Sequence, residues 1–203
     1  MKAHTISSLL LLLGVAGCTQ DPTTGTTTVS GQVVENQSRK PVGGATVQVY
    51  QTAKSGGYAP VSTTFQADGQ GHFALSFEAT STSGYAVFAQ AYPGYFTPAY
   101  AATGITAGRA NKDVVVPMLA PAWVRLQLVD EPPKNNISIY TSGYEGPGDR
   151  LYYPGDTVLF RPLIAGFSGR INWSITDEKG INTHHYQTIS VGALDTAKVR
   201  IPF

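Results

Sequence analysis

Few side chains in this 203-residue chain can do chemistry, and their spacing limits what that chemistry is. Cys18 is the only cysteine, which excludes an intrachain disulfide and any multi-cysteine metal site. It ends an apolar amino-terminal segment behind the small residues Val15, Ala16 and Gly17. As a thiolate it is the nucleophile that thioether formation needs. His184 and His185 are adjacent, but neighbours on a strand point to opposite faces and do not both grip one metal from regular β structure. Asp68-Gly69-Gln70-Gly71 lacks the regularly spaced oxygen ligands of a calcium loop and reads as a hairpin turn. Asp130-Glu131 and Asp177-Glu178 read as solvated connections. No serine sits in a Gly-x-Ser-x-Gly elbow and no His-Glu-x-x-His run occurs. No catalytic residue, metal ligand or cofactor is assigned, and the chain is expected not to be an enzyme.

The remaining chemistry is aromatic. Tyr92, Tyr95, Phe96 and Tyr100 crowd one region, and Tyr140, Tyr144, Tyr152 and Tyr153 another. Tyrosine joins a flat apolar face to a hydroxyl, which suits a sugar ring or a protein groove, although such rings also cap the ends of small cores. The stretch Ser142–Asp156 is the expected recognition loop. Tyr144, Tyr152 and Tyr153 supply its rings, and Glu145, Asp149, Arg150 and Asp156 its polar rim.

The elements that must position these residues are strands. Gly at 22 and Pro at 13 are high, charged residues are only 13%, and the apolar 42% falls in short runs between turn formers. That pattern indicates an all-β protein, with no sustained helical periodicity after residue 20. The formal charge of +1 comes from scattered single residues, which excludes the phosphate-neutralising patch of a nucleic-acid binder.

MKAHTISSLLLLLGVAGCTQ has a positive start at Lys2, an apolar core from Ile6 to Val15 and small residues before Cys18. The apolar run is short for spanning a bilayer core of about 30 Å. The segment resembles the lipobox of bacterial lipoproteins. That resemblance implies acylation of Cys18, cleavage before it, and a membrane-lipid partner reached through several acyl chains. Thr19 rather than Asp after the cysteine implies, by the same analogy, the bacterial outer membrane. Residues 1–17 are then signal peptide, and 18–28 are the lipidated cysteine with a polar, Thr-rich tether.

Val29, Gly31 and Val33 begin the alternation of a first strand. Further strands are predicted over Thr46–Tyr50, Val61–Phe65, His72–Glu78, Tyr85–Gln90 and Asp113–Met118, the last at a sheet edge because Pro117 cannot donate to a ladder. Gly31-Val33, then Pro41 with Gly44-Ala45-Val47-Val49, then Asp68-Gly69 with Gly71-Phe73-Leu75, then Tyr85-Val87-Ala89 with Gly94-Tyr95 resemble the carboxypeptidase regulatory-like domains. The resemblance covers residues 29–118, under half the chain. It implies a transthyretin-like Greek-key β-sandwich and no peptidase activity.

From Ala120 the pattern resumes. Strands are predicted at Val124–Leu128, Ile137–Thr141, Thr157–Leu163, Ile171–Ile175, Ile189–Val191 and Lys198–Phe203. Residues 120–203 therefore form a second β-sandwich-like domain, or an extension that completes one larger fold. The expected function is that of a cell-envelope lipoprotein acting as an accessory or adhesion module through protein contacts. A carbohydrate-binding surface lipoprotein and an accessory component of a peptidase or transporter system are the alternatives.

Overall fold

A computed structural model describes residues 24–53, 55–80, 84–133, 135–142, 148–152 and 154–203. Within them the protein is all β apart from one 3-10 turn at Ala99–Ala101. The first half contains β1 (Gly25–Glu35), β2 (Thr46–Thr52), β3 (Tyr58–Pro60), β4 (Phe65–Gln66), β5 (His72–Ala79), β6 (Tyr85–Ala91), β7 (Tyr95–Phe96), β8 (Thr103–Ile105) and β9 (Ala110–Met118). One sheet has the order β5-β1-β9. The other runs β3-β2-β6-β7, with β4 on β2 and β8 on β6. Alternation drives the assembly: Phe73, Leu75 and Phe77 of β5 turn inward to meet Val47 and Val49 of β2 and Val87 of β6 in one core.

The second half repeats the plan with β10 (Pro121–Val129), β11 (Asn136–Thr141), β12 (Asp149–Leu151), β13 (Thr157–Ile164), β14 (Ser168–Thr176), β15 (Asn182–Ser190) and β16 (Thr196–Pro202). Its sheets are β13-β10-β16 and β12-β11-β14-β15. They enclose a separate core in which Val124, Leu126 and Leu128 meet Ile137, Ile139 and Ile171. In each half the first strand lies at the centre of a three-stranded sheet. A middle strand flanks it antiparallel and the last strand flanks it parallel. The parallel pairing means the chain enters each sandwich at one end and leaves at the other.

The halves therefore meet end to end. Only Leu119 and Ala120 separate β9 from β10, and both are buried. Phe96 and Leu119 exchange backbone hydrogen bonds, Leu119 N–H to Phe96 O at 2.8 Å. Gln37 Nε2 donates to Ala165 O at 3.2 Å across the junction. Tyr95 packs against both cores.

Several expectations change. The polar tether does not extend to Thr28, because β1 begins at Gly25. Thr27 is fully buried there: its Oγ1 donates to Gly25 O and accepts the Gly108 N–H. The strand predicted over Val61–Phe65 is replaced by β3 and β4 on either side of an irregular segment, in which the Ser62 hydroxyl accepts the Val49 N–H that a ladder carbonyl would take. The predicted loop Ser142–Asp156 contains a short strand, β12, paired with β11. The strand predicted at Ile189–Val191 ends at Ser190 but begins seven residues earlier, at Asn182. Gly31 is required where β1 bulges against β9, since a Cβ there would strike the Val114 carbonyl.

Candidate functional site

Of the expected recognition residues, Asp149, Arg150, Tyr152 and Asp156 lie within the described part of the chain, and Asp149 and Arg150 both line one cleft. Asp149 is half-buried and bonded to Arg161, whose Nε donates to Asp149 Oδ2 at 2.9 Å and whose second guanidinium nitrogen pairs with Oδ1. That ion pair ties β12 to β13, so Asp149 fastens the edges of two sheets together. Asp156 Oδ1 accepts the Asp130 N–H at 2.9 Å and fastens another loop. Arg150 and Tyr152 are exposed. Tyr144, Glu145 and Tyr153 lie outside the described residues, as does Cys18.

A concave feature lies beside that loop, on the outer face of the β12-β11-β14-β15 sheet. It is an open cleft of about 490 Å³. Register places its side chains in two rows. Tyr140 of β11 pairs with Asn172 of β14, which pairs with Tyr186 of β15. One row along, Arg150, Ser138, Ser174 and His184 are successive neighbours across all four strands. Strand spacing sets the backbones bearing the two tyrosines roughly 10 Å apart, with the Asn172 amide between them. Both rings are exposed, Tyr140 at 49% and Tyr186 at 65%. The Arg170 guanidinium lies 4.4 Å from the Tyr186 ring centroid and steadies that ring.

This arrangement exists because β11 and β14 alternate so regularly. Ile137, Ile139 and Ile171 occupy the core, which turns Ser138, Tyr140, Asn172 and Ser174 outward. The strands β11, β14 and β15 carry no Asp or Glu, and the one acid of β12 is paired with Arg161. The face therefore has the positive side chains Arg150 and Arg170 and hydroxyl, amide and imidazole groups between them. It can stack planar or ring-shaped ligands and donate hydrogen bonds, and it can meet negative charge.

His184 faces this cleft beside Ser174, whereas His185 turns to the other face and stacks on Trp173 at 5.5 Å between ring centroids. Among the described residues no three His, Cys, Asp or Glu side chains come together as a metal site requires. Asp68 is occupied as a turn residue: its Oδ1 accepts the N–H groups of Gln70 and His72, each at 2.8 Å. Those bonds, led by the one from His72, hold its carboxyl below the usual carboxylate value. Tyr186 and Asn172 were not singled out from sequence. Asn172 shows as the polar partner in the Ile171-Trp173-Ile175 alternation, but Tyr186 sits in a polar run that gives no sign of its neighbours.

No family model matches the chain, and no curated protein matches it. Solved structures with some likeness include GBS52, the minor pilin of Streptococcus agalactiae, at 13% identity and a TM-score of 0.40, covering 88% of this chain and 94% of that one. A streptococcal ancillary pilin has 14% identity and a TM-score of 0.38, covering 86% of this chain and 62% of that one. A DUF3823 family protein from Bacteroides ovatus has 12% identity and a TM-score of 0.30, covering 82% and 98%. The Bacillus anthracis TIE protein has 13% identity and a TM-score of 0.30, and the match covers 88% of this chain and only 34% of that protein.

Proposed function

We propose that the chain is a non-catalytic binding module of the bacterial cell envelope, lipid-anchored through Cys18 in the outer membrane, whose second sandwich (residues 120–203) recognises a glycan. The supporting observation is the Tyr140–Asn172–Tyr186 row: two exposed rings on either side of an amide in an open cleft. A protein-binding hot spot buries its apolar groups at the centre, shielded from water by a polar rim, whereas both rings here are exposed. Sugars present apolar ring faces for stacking and edge hydroxyls for an amide and two serines. Arg150 and Arg170, without a free acid on the same strands, favour sugars that carry carboxylates.

The test is affinity electrophoresis of residues 19–203 through gels containing a uronate polysaccharide or a neutral glucan. Retardation is expected, stronger in the uronate gel. Tyr140→Ala and Tyr186→Ala should each raise Kd about tenfold, equivalent to about 1.4 kcal/mol. Tyr92→Ala, at a position 96% exposed on the other sandwich, should migrate like the wild type. Free migration in both gels, or equal retardation of every variant, removes this face from consideration.

The anchor has its own test. Among the described residues no helix is long and apolar enough to cross a membrane, and the proposed attachment is through Cys18. In cells fed labelled palmitate, Cys18→Ser should lose the label and accumulate as precursor. Labelling that persists in the variant rejects lipidation at this residue.

A further inference from the structure

We propose that β15 is the strand through which two copies of this chain pair, antiparallel and edge to edge. Exposed sheet edges are open templates for another strand, and proteins guard them with charges, prolines, bulges or very short strands. The other edges here follow that rule. Strands β3, β7, β8 and β12 have two or three residues each. Strand β5 carries Glu78, β9 carries Lys112 and Pro117, β13 carries Arg161 and Pro162, and β16 carries Lys198, Arg200 and Pro202.

Strand β15 has none of these guards. It is the terminal strand of its sheet, nine residues long, and in unbroken register with β14 from Asn182 to Ser190. Its sequence NTHHYQTIS contains no Asp, Glu, Lys, Arg, Pro or Gly. It also overhangs the molecule: the facing sheet has three strands against four, and every residue from Asn182 to Thr188 is exposed, inward-directed Thr183, His185 and Gln187 included. Little but the β14 ladder holds it, with only Ile189 reaching the core.

A second copy is the occupant that this neutrality suits. Self-pairing sets each residue against another from the same short list, so a single Lys or Glu near the centre would face like charge. Centred on Tyr186, the antiparallel pairing sets His184 opposite Thr188, His185 opposite Gln187 and Asn182 opposite Ser190. No pair contains two fixed charges. Even-numbered residues meet even-numbered ones, so both copies keep the same face outward. The result is one continuous eight-stranded sheet, with the two clefts side by side across a two-fold axis. The pairing does not depend on the identity of any ligand at the cleft.

The experiment uses residues 19–203, which lack Cys18, over a concentration series in sedimentation equilibrium. A monomer–dimer equilibrium is expected, with Gln187→Lys/Thr188→Lys raising the dimer dissociation constant at least tenfold while circular dichroism stays unchanged. Under mild oxidation Tyr186→Cys should form a disulfide dimer, because directly opposed antiparallel residues lie within disulfide reach. Thr188→Cys should not, since its own copy lies four residues out of register. A dimer that survives the lysine pair, or equal crosslinking of the two cysteine variants, overturns this register and edge. A chain that stays monomeric, with freely exchanging β15 amides, overturns the pairing and leaves the edge to an extended segment of another protein.

Discussion

Glu35 carries a charge at a place where little water reaches it. It ends β1 at the junction and is 7% exposed. Burial by itself raises its pKa, but the Ser38 and Gln37 hydrogen bonds and the Lys40 charge outweigh burial and hold the carboxyl below its usual value. The Gln37 N–H reaches Oε1 at 2.9 Å and the Ser38 N–H reaches Oε2 at 2.6 Å. With the folded pKa lowered, the contribution to stability is complete above the unfolded carboxylate range and fades as pH falls through the folded value. Glu35→Gln should therefore cost about 2 kcal/mol at pH 7, the scale of hydrogen bonds to a charged group. The gap to the wild type should narrow steadily below about pH 4. Urea midpoints across that range measure it, and a gap independent of pH rules out the charge as its source. Two other acids act through their carbonyl and carboxylate oxygens, each in its own turn of the same kind. Asp68 accepts from residues two and four positions on, and Asp177 accepts from Lys179 and Ile181 in the same way. Gly71 and Gly180 take positive φ at the same place in each turn. The first of these turns was legible as Asp-Gly-x-Gly. The second was read only as a solvated connection, because Glu178-Lys179 hides the spacing from Asp177 to Gly180.

At the scale of elements, legibility followed burial. Strand β5 shows Phe73, Leu75 and Phe77 alternating with exposed residues, because one face packs on a core and the other meets water. Strand β10 is legible for the same reason in Val124, Leu126 and Leu128. Strand β15 was visible only where Ile189 enters the core, since a strand exposed on both faces is under no pressure to alternate. Threonine concealed the start of β1: Thr26 and Thr28 read as tether, yet β-branched residues suit a strand and Thr27 fills a fully buried position. The candidate site suffered from both effects. Tyr140 falls in the predicted strand Ile137–Thr141, just outside the loop expected to do the recognition, while Tyr186 lies in the polar run of β15. What joins them is pairing through Asn172, and register between strands that are distant in sequence is set by the whole sandwich rather than by either segment.

For the whole molecule, the two-residue connection decides whether the sandwiches behave as one body or two. A flexible linker would expose polar, turn-forming residues at the boundary. Here Leu119 and Ala120 are buried, Gln37 reaches Ala165, and Gly166 lies so close to Gln37 that a Cβ would strike its side chain. Tyr95 is the residue common to both cores. Its surroundings raise the phenol pKa, chiefly by burial and secondarily through the Glu35 charge, so the ring stays neutral and apolar at physiological pH. Removing it takes packing from both cores at once, which couples the unfolding of one to that of the other. Wild-type residues 19–203 should unfold in one calorimetric transition. Tyr95→Ala should lose about 3 kcal/mol, near the low end for truncating an aromatic ring because this one is only partly buried. More tellingly, its transition should split in two as each sandwich melts on its own core. Tyr95→Phe keeps the ring and should keep the single transition. Two transitions in the wild type, or one shifted but unsplit transition in Tyr95→Ala, would show that the ring does not couple the cores. The consequence for the proposed binding role is geometric: with the joint stiff, anchoring of the first sandwich as proposed would hold the cleft of the second at a fixed distance and direction from the anchoring surface.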